Sequence, residues 1–175
     1  MDNSAQELQL LYKISQTVSS RQHDIGELLT EVLQIMETEL GVLRGTLTLR
    51  KQDSDILNIE ASSGLSERQM QRGEYQLGEG VTGKVAETGQ MEIIADISQS
   101  TDFLNRTKAR DDEKVAFICV PIIHNKEIIG TISIDIPAVD ESALETYALF
   151  LEHVAQILAS AVSTIREEIE ERNAL

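Results

Sequence analysis

A glycine-rich segment with the spacing of a phosphate-binding loop is the first candidate for chemistry in this chain. Gly78, Gly83 and Lys84 match the frame G-x-x-x-x-G-K, in which backbone amides and the lysine bind phosphates. The next residue is Val85, where the motif needs a hydroxyl to hold Mg²⁺. The preceding segment, 71–76, is too polar for the buried strand that such a loop follows. We therefore interpret the glycines as a tight turn with positive φ angles.

The cysteine and the histidines form no recognisable catalytic or metal-binding pattern. Cys119 lies in an apolar run with no neighbouring base, so a buried, inert thiol is expected. The three histidines share no ligand spacing. Three scattered acids that could converge with the thiol on a non-haem iron are Asp96, Asp102 and Asp135, but such residues are more often caps or turn residues. The pattern predicts no catalytic residue and no metal.

The densest basic cluster lies in a long polar loop, 96–112. Arg106 and Arg110 follow the apolar Phe103 in this loop, and a loop of this length in a compact domain is often a functional lid. A guanidinium there can bind a small carboxylate or phosphate through two hydrogen bonds. The alternative, which the residues leave open, is that these charges pair with the acidic residues 111–113.

The overall charge excludes several classes of partner. The 175 residues include 15 Lys and Arg against 30 Asp and Glu, for a net charge of −15. That excess argues against general nucleic-acid binding and against an anionic membrane surface. A single cysteine suits a reducing compartment. The chain shows no run of 18 apolar residues and no signal-peptide pattern, so we expect a cytoplasmic domain without a membrane segment.

Hydrophobic periodicity predicts helices at both ends of the chain and strands in local pairs. The predicted elements are helices 5–20 and 24–40 (capped by Asp24 and stopped by Gly41), a hairpin 43–63, a short helix 64–73, a glycine-rich loop and helix closed by Gly89, a strand 91–95, a hairpin of strands 115–123 and 127–136, and a helix that Ser142 caps. This order favours an α+β fold whose mostly antiparallel sheet has helices on one face and a functional face on the other.

The last helix carries an apolar seam at spacings of three and four, followed by a charged stretch. The seam residues are Leu144, Tyr147, Leu151, Val154, Leu158, Ala161 and Ile165. We interpret them as a dimer seam that starts a connecting helix, and the alternative is a simple core-facing helix. The chain is accordingly divided into a sensory domain at 1–141 and a dimerisation or connecting helix at 142–175.

Five blocks of sequence resemble those of a GAF domain. They are 77–85, 96–99, 103–107, 117–122 and 130–135. The last three, with the sequences Phe-Leu-Asn-Arg-Thr, Phe-Ile-Cys-Val-Pro-Ile and Gly-Thr-Ile-Ser-Ile-Asp, are most similar to the N-terminal domain of NifA-type activators of sigma-54 RNA polymerase. The resemblance covers about residues 8–137.

This resemblance implies a regulatory sensor of nitrogen fixation rather than an enzyme. GAF domains have a six-stranded antiparallel sheet, long terminal helices on one face and a loop-covered pocket on the other, and they usually form homodimers. In NifA-type activators the domain controls an AAA+ ATPase. Some members respond to 2-oxoglutarate, to a PII-like nitrogen regulatory protein or to a redox-sensing partner.

Some GAF ligands fit this sequence poorly. The cyclic-nucleotide signature pairs Asn-Lys with a later Phe and an acidic pair; Asn125 and Lys126 are present, but no acidic pair follows Phe150. Cys119 lies in mid-strand and is a poor match to a bilin anchor. The resemblance thus disfavours cyclic nucleotides and leaves iron with little weight.

The expected ligand site lies under the 96–112 loop, on a floor of strands 115–123 and 43–49. In this hypothesis Arg106 or Arg110 binds a carboxylate such as that of 2-oxoglutarate. The other predicted site residues are Phe103, Phe117, Cys119 and Leu47. Two alternatives remain: a ligand-free GAF module for dimerisation or protein docking, and a GAF sensor of a histidine kinase or cyclic-nucleotide-responsive protein.

Overall fold

The computed structural model describes residues 3–20, 25–99 and 114–175. The helices are α1 (Asn3–Ser19), α2 (Ile25–Leu40), α3 (Glu67–Gln71), α4 (Gly80–Thr88) and α5 (Glu141–Ala174), with a short 3₁₀ helix at Ile97–Gln99. The strands are β1 (Arg44–Arg50), β2 (Ile56–Ser63), β3 (Glu74–Gln76), β4 (Glu92–Ile94), β5 (Val115–His124) and β6 (Glu127–Pro137). They form one antiparallel sheet in the order β3-β2-β1-β6-β5-β4, which confirms the predicted α+β fold.

The long helices cover one face of the sheet, which we call the helix-layer face. α5 packs on β5, α2 packs on β1 and β2, and α1 lies against both helices. Because side chains alternate along a strand, Leu47, Ile118 and Ile132 all project into this layer. Each is fully buried, and burying such a side chain stabilises the fold by about 1.5–3 kcal/mol.

The opposite face carries α4, and we call it the α4 face. α4 contacts β5, β6 and β3. Val81 and Val85 of α4 pack with Phe117 and Cys119 of β5 in a second, smaller apolar cluster. The two-layer arrangement predicted from the order of elements is therefore present, with the long helices on one side and a distinct surface on the other.

Two local features differ from the predictions. β3 was not predicted as a strand, because only Tyr75 of its three residues is buried and the strand is held by a three-residue pairing with β2. Asp140, rather than Ser142, caps α5: its side chain accepts a hydrogen bond from the amide of Ala143 at 2.8 Å. The predicted stop at Gly41 is confirmed by its φ of 71°. The predicted cap Asp24 lies outside the described residues.

The apolar seam of α5 faces the core of its own chain. Its buried members are Leu144, Leu151, Val154, Leu158 and Ile165, with at most 7% exposure. Tyr147 is half-buried and donates its hydroxyl to the carbonyl of Leu40 at 3.1 Å, and Ala161 is also half-buried. In this arrangement the buried positions are not available to a second chain, so the seam is core-facing and a dimer would need other side chains.

α5 also has the length and composition of a membrane-crossing helix, with a mean hydropathy of 1.5 in its most apolar window. Half of that window is buried inside the chain. α5 packs on β5, α1 and β6.

Candidate functional site

A row of buried polar side chains crosses the α4 face where β1 and β6 lie side by side. The antiparallel register pairs Thr46 with Ser133 and Thr48 with Thr131. All four are at most 6% exposed. Polar side chains in the centre of a sheet cost free energy unless they bond to something, so their presence marks this strip as different from the apolar helix-layer face.

An ion pair lies at one end of this row. Arg44 and Asp135 are register partners, and the Arg44 Nη1 donates to the Asp135 Oδ2 at 3.2 Å. The Asp135 side chain is 2% exposed and that of Arg44 is 17% exposed. A carboxylate so little exposed needs a cation and hydrogen bonds to replace its lost solvation. The pair therefore fixes charge and geometry at the edge of the polar row.

At the other end, hydroxyl groups surround the one thiol of the chain. The hydroxyls of Thr48 and Thr131 lie 2.6 Å apart. Cys119 also bonds to the hydroxyls of Thr131 and Thr82, but complete burial dominates and raises the pKa of its thiol to about 12. The thiolate is the reactive form of cysteine. Cys119 is consequently a protonated, inert core residue, which confirms the expectation drawn from its apolar strand.

An apolar cluster lies beside the polar row on the α4 face. Phe117 and Cys119 are buried against Val81 and Val85, and Ile94 of β4 packs on the same cluster. Within the residues that the structure describes, the space between α4 and β5 is thus filled by side chains.

The structure brings together two of the predicted site residues and separates a third. Phe117 and Cys119 lie on the α4 face, as the hypothesis requires. Leu47 does not: it is fully buried on the helix-layer face, so its assignment to the pocket was wrong. The β1 residues on the same face as Phe117 are those that alternate with Leu47, namely Thr46 and Thr48. Phe103, Arg106 and Arg110 lie outside the described residues.

Sequence reasoning missed the polar residues that form the floor. In β1 these polar residues alternate with Leu47 and Leu49, a pattern that equally predicts the solvent-facing side of a half-buried strand. The better signal is in β6, where Thr131, Ser133 and Asp135 recur at every second position inside an otherwise apolar run. In a strand buried on both faces, such a series marks the face that carries a polar site.

The glycine-rich segment forms a turn closed on itself rather than a phosphate loop. Gly78 and Gly80 have φ angles of 83° and 63°. The Gly78 amide donates to the carbonyl of Gly83 at 2.9 Å, and a Cβ at Gly83 would collide with the carbonyl oxygen of Gln76. The preceding strand, β3, is antiparallel. The interpretation as a tight turn is therefore confirmed.

The acids considered for iron behave as local structural groups where they are described. The Asp96 carboxylate accepts bonds from the amide and hydroxyl of Ser98 at 3.0 and 2.7 Å, and these bonds lower its pKa. Asp96 is thus a turn residue, while Asp102 lies outside the described residues. Among residues 3–20, 25–99 and 114–175, no three His, Cys, Asp or Glu side chains converge on a possible metal position.

Comparison with known sequences matches residues 22–159 to the GAF domain. The chain is 39% identical over 130 residues to the nitrogen fixation protein VnfA of Azotobacter vinelandii, covering 72% of this chain and 25% of that protein. It is 35% identical to AnfA of the same organism over 89% of this chain and 29% of that protein. It is 32% identical to the Nif-specific regulatory protein of Herbaspirillum seropedicae, over 97% of this chain and 32% of that protein. The chain thus spans about a quarter to a third of these curated relatives.

Solved structures support the fold. The GAF domain of A. aeolicus nlh2 in an inactive state superimposes with a TM-score of 0.80 at 23% identity, covering 93% of this chain and 99% of that one. A free methionine-R-sulfoxide reductase from Neisseria meningitidis superimposes with a TM-score of 0.77 at 21% identity, covering 96% of this chain and 95% of that one. This architecture is therefore shared by a GAF domain and by a reductase, so the fold alone does not decide the function.

Proposed function

The chain belongs to the GAF domain family and is homologous to regulators of nitrogen fixation, and from this premise we propose that it senses a small carboxylate, such as 2-oxoglutarate, for a NifA-like activator. The observation that carries the proposal is the buried polar row on the α4 face, bounded by Arg44 and Asp135. A packed core needs no such row, whereas a face that meets a polar ligand does.

A carboxylate would be bound by cations above this floor. Arg44 is engaged by Asp135, so the binding cation must come from elsewhere, and Arg106 and Arg110 are the candidates from sequence. The Thr46 and Ser133 hydroxyls offer hydrogen bonds from below, and Phe117 contributes an apolar wall. In full-length protein, ligand binding would change the state of an AAA+ module through α5, and the domain would act as a cytoplasmic homodimer. A PII-like or redox-sensing partner could bias the same equilibrium.

Native mass spectrometry of the 175-residue chain, with and without 2-oxoglutarate, tests this proposal. We expect a dimer that retains or takes up one small acid per chain. Calorimetry then compares Arg106→Ala and Arg110→Ala with Arg72→Ala, which removes an exposed arginine beside α3. Loss of a charged hydrogen bond should weaken binding by about 1–3 kcal/mol in at least one of the first two variants and leave the control unchanged. No uptake by the unmodified chain would contradict ligand sensing.

A second function, a ligand-free module for dimerisation or protein docking, is favoured by one observation. Val81, Val85, Phe117 and Cys119 already fill the space between α4 and β5. If the chain forms dimers but takes up no small acid, this alternative replaces the sensor. The GAF sensor of a histidine kinase stays an alternative. Sequencing the full-length gene would distinguish it, because the output domain encoded there differs between a kinase and an activator.

This chain lacks the thiol groups that thiol-based sulfoxide reduction requires. Such a reaction needs an accessible thiolate to attack sulfur and a second thiol to resolve the product by forming a disulfide. The sequence contains one cysteine, and Cys119 is fully buried with a pKa of about 12. Regulation rather than reduction is therefore the function that we propose.

A further inference from the structure

Arg166 of α5 joins the two central strands of the sheet. Its Nε donates to the main-chain carbonyl of Arg50, at the end of β1, at 2.8 Å. Its Nη1 donates to the Glu127 Oε1, at the start of β6, at 2.9 Å. The side chain of Arg166 is 11% exposed and that of Glu127 is 56% exposed, so the bond to the Arg50 carbonyl is the more shielded of the two. A rigid guanidinium fork holds its two acceptors at one relative position, as a flexible lysine would not.

The next turn of α5 is tied to the same end of the sheet. The Glu170 Oε1 accepts a hydrogen bond from the amide of Gln52, in the β1–β2 turn, at 2.9 Å. That turn is closed by Arg50, whose Nε donates to the carbonyl of Ser54 at 2.8 Å. The last turns of α5 are therefore attached to the end of β1 and the start of β6. These turns follow the buried seam of α5 in the sequence.

The opposite end of the same strand pair is joined on the α4 face. Arg44 and Asp135 form their ion pair there, six residues along β1 from Arg50. At about 3.3 Å per residue, the two ties are separated by roughly 20 Å. One tie therefore lies on the proposed sensing face and the other on the helix layer, and both depend on how β1 is placed relative to β6.

We propose that Arg166 is a positioning residue that couples the α4 face to the C-terminal turns of α5. The inference rests on the proposed function, in which the α4 face receives the signal. A ligand that displaces β1 relative to β6 changes the separation of the Arg50 carbonyl and the Glu127 carboxylate. Because the fork of Arg166 fits one separation, this displacement releases the end of α5.

A double-mutant cycle read by hydrogen exchange tests the coupling without any ligand. Asp135→Asn perturbs the α4 face, and Arg166→Met removes the fork. In the chain with Arg166, we expect Asp135→Asn to accelerate exchange of amides 166–174 at least threefold. In the Arg166→Met background, that acceleration should disappear while the effect of Asp135→Asn on β1 and β6 persists. Sites this far apart are otherwise additive.

Two further comparisons separate coupling from general support of the fold. Arg166→Met should accelerate exchange in turn 51–55 at least tenfold, whereas Arg172→Met, an exposed arginine on the same helix, should not. Glu127→Gln keeps an acceptor for Nη1 and should retain coupling that Glu127→Ala loses. If Arg166→Met does not fold, Arg166→Lys takes its place in the cycle.

Strictly additive effects on amides 166–174 would overturn the proposal. So would an Asp135→Asn chain in which those amides are unchanged. Because the cycle uses no ligand, its failure is distinct from a failure of 2-oxoglutarate uptake in mass spectrometry, which would overturn the sensor while leaving the mechanical coupling intact.

Discussion

Arg44 and Asp135 oppose each other across the pairing of β1 and β6, and their side chains form an ion pair of 3.2 Å in a nearly buried position. The two residues are 91 positions apart in sequence. Their contact depends on a central pairing between strands from the first and last hairpins, and it fixes one boundary of the polar row.

Removing Arg44 should destabilise the fold strongly. Arg44→Met leaves a nearly buried carboxylate without its cation, and we expect a loss of about 3 kcal/mol in the free energy of unfolding. Urea denaturation measures this loss. Lys13→Met is the matched control, since it breaks an exposed pair with Glu39 of similar length, 3.3 Å, and should cost less than about 1 kcal/mol. Equal losses in the two variants would contradict burial of the Arg44 pair.

The thiol of Cys119 should be silent in the native protein. Complete burial keeps it protonated, with a pKa of about 12, and shields it from reagents. At pH 8, a thiol-specific disulfide reagent should label the chain only at the rate at which the chain opens, and at once in urea. Rapid stoichiometric labelling without denaturant would show that the α4 face is open at β5.

Gly83→Ala should be more harmful than Gly41→Ala, although only Gly41 has a positive φ. A Cβ at Gly83 meets the backbone of Gln76 and Gly78, whereas Gly41 faces open space. We expect about 2–3 kcal/mol for overpacking at Gly83 and about 1 kcal/mol for left-handed strain at Gly41. Urea denaturation distinguishes them, and the reverse order would mean that the turn before α4 relaxes easily.

Glu60 should make the chain less stable as pH rises. Partial desolvation raises the pKa of Glu60, although the residue is exposed, and the cations Arg172 and Lys51 partly offset this rise. The native chain therefore binds a proton more tightly than the unfolded chain, so this stability is present at low pH and is lost as pH rises from about 4.3 through the folded pKa.

Glu60→Gln should therefore increase the free energy of unfolding at pH 7 and have little effect near pH 4. Arg172→Met removes a neighbouring cation and should raise the pKa of Glu60 further. Denaturation at several pH values and NMR titration measure the two effects. A Glu60→Gln chain that is less stable than the parent at pH 7 would contradict the sign.

The dimer that we propose should depend on exposed apolar residues of α1 rather than on the buried seam of α5. Leu8 and Tyr12 are one helical turn apart and are 70% and 65% exposed. Replacing both with Glu should give a monomer by light scattering with little loss of fold stability. Gln9→Glu adds charge to the same helix as a control. A double variant that remains dimeric would exclude this face of α1.

Local sequence determined most of the secondary structure, because hydrophobic periodicity reports the environment of each element directly. The period of two in 43–63 and the two apolar strands flanking the polar turn 124–126 predicted both hairpins, and Gly41 and Gly89 ended their helices as expected. The polar segment before Gly78 and the missing hydroxyl at Val85 sufficed to reject a phosphate loop. These signals are local, so no knowledge of distant contacts was needed.

Tertiary structure decided which face each strand presents and what the last helix packs against. Leu47 and Thr46 are adjacent in one strand, and only the placement of α2 on one side and α4 on the other assigns them to the core and to the polar row. The seam of α5 has the same spacing whether it meets a second chain or its own β5. The contacts of Arg166 with Arg50 and Glu127 span 116 and 39 positions, and the pairing of Arg44 with Asp135 spans 91 positions, so only the folded chain reveals them.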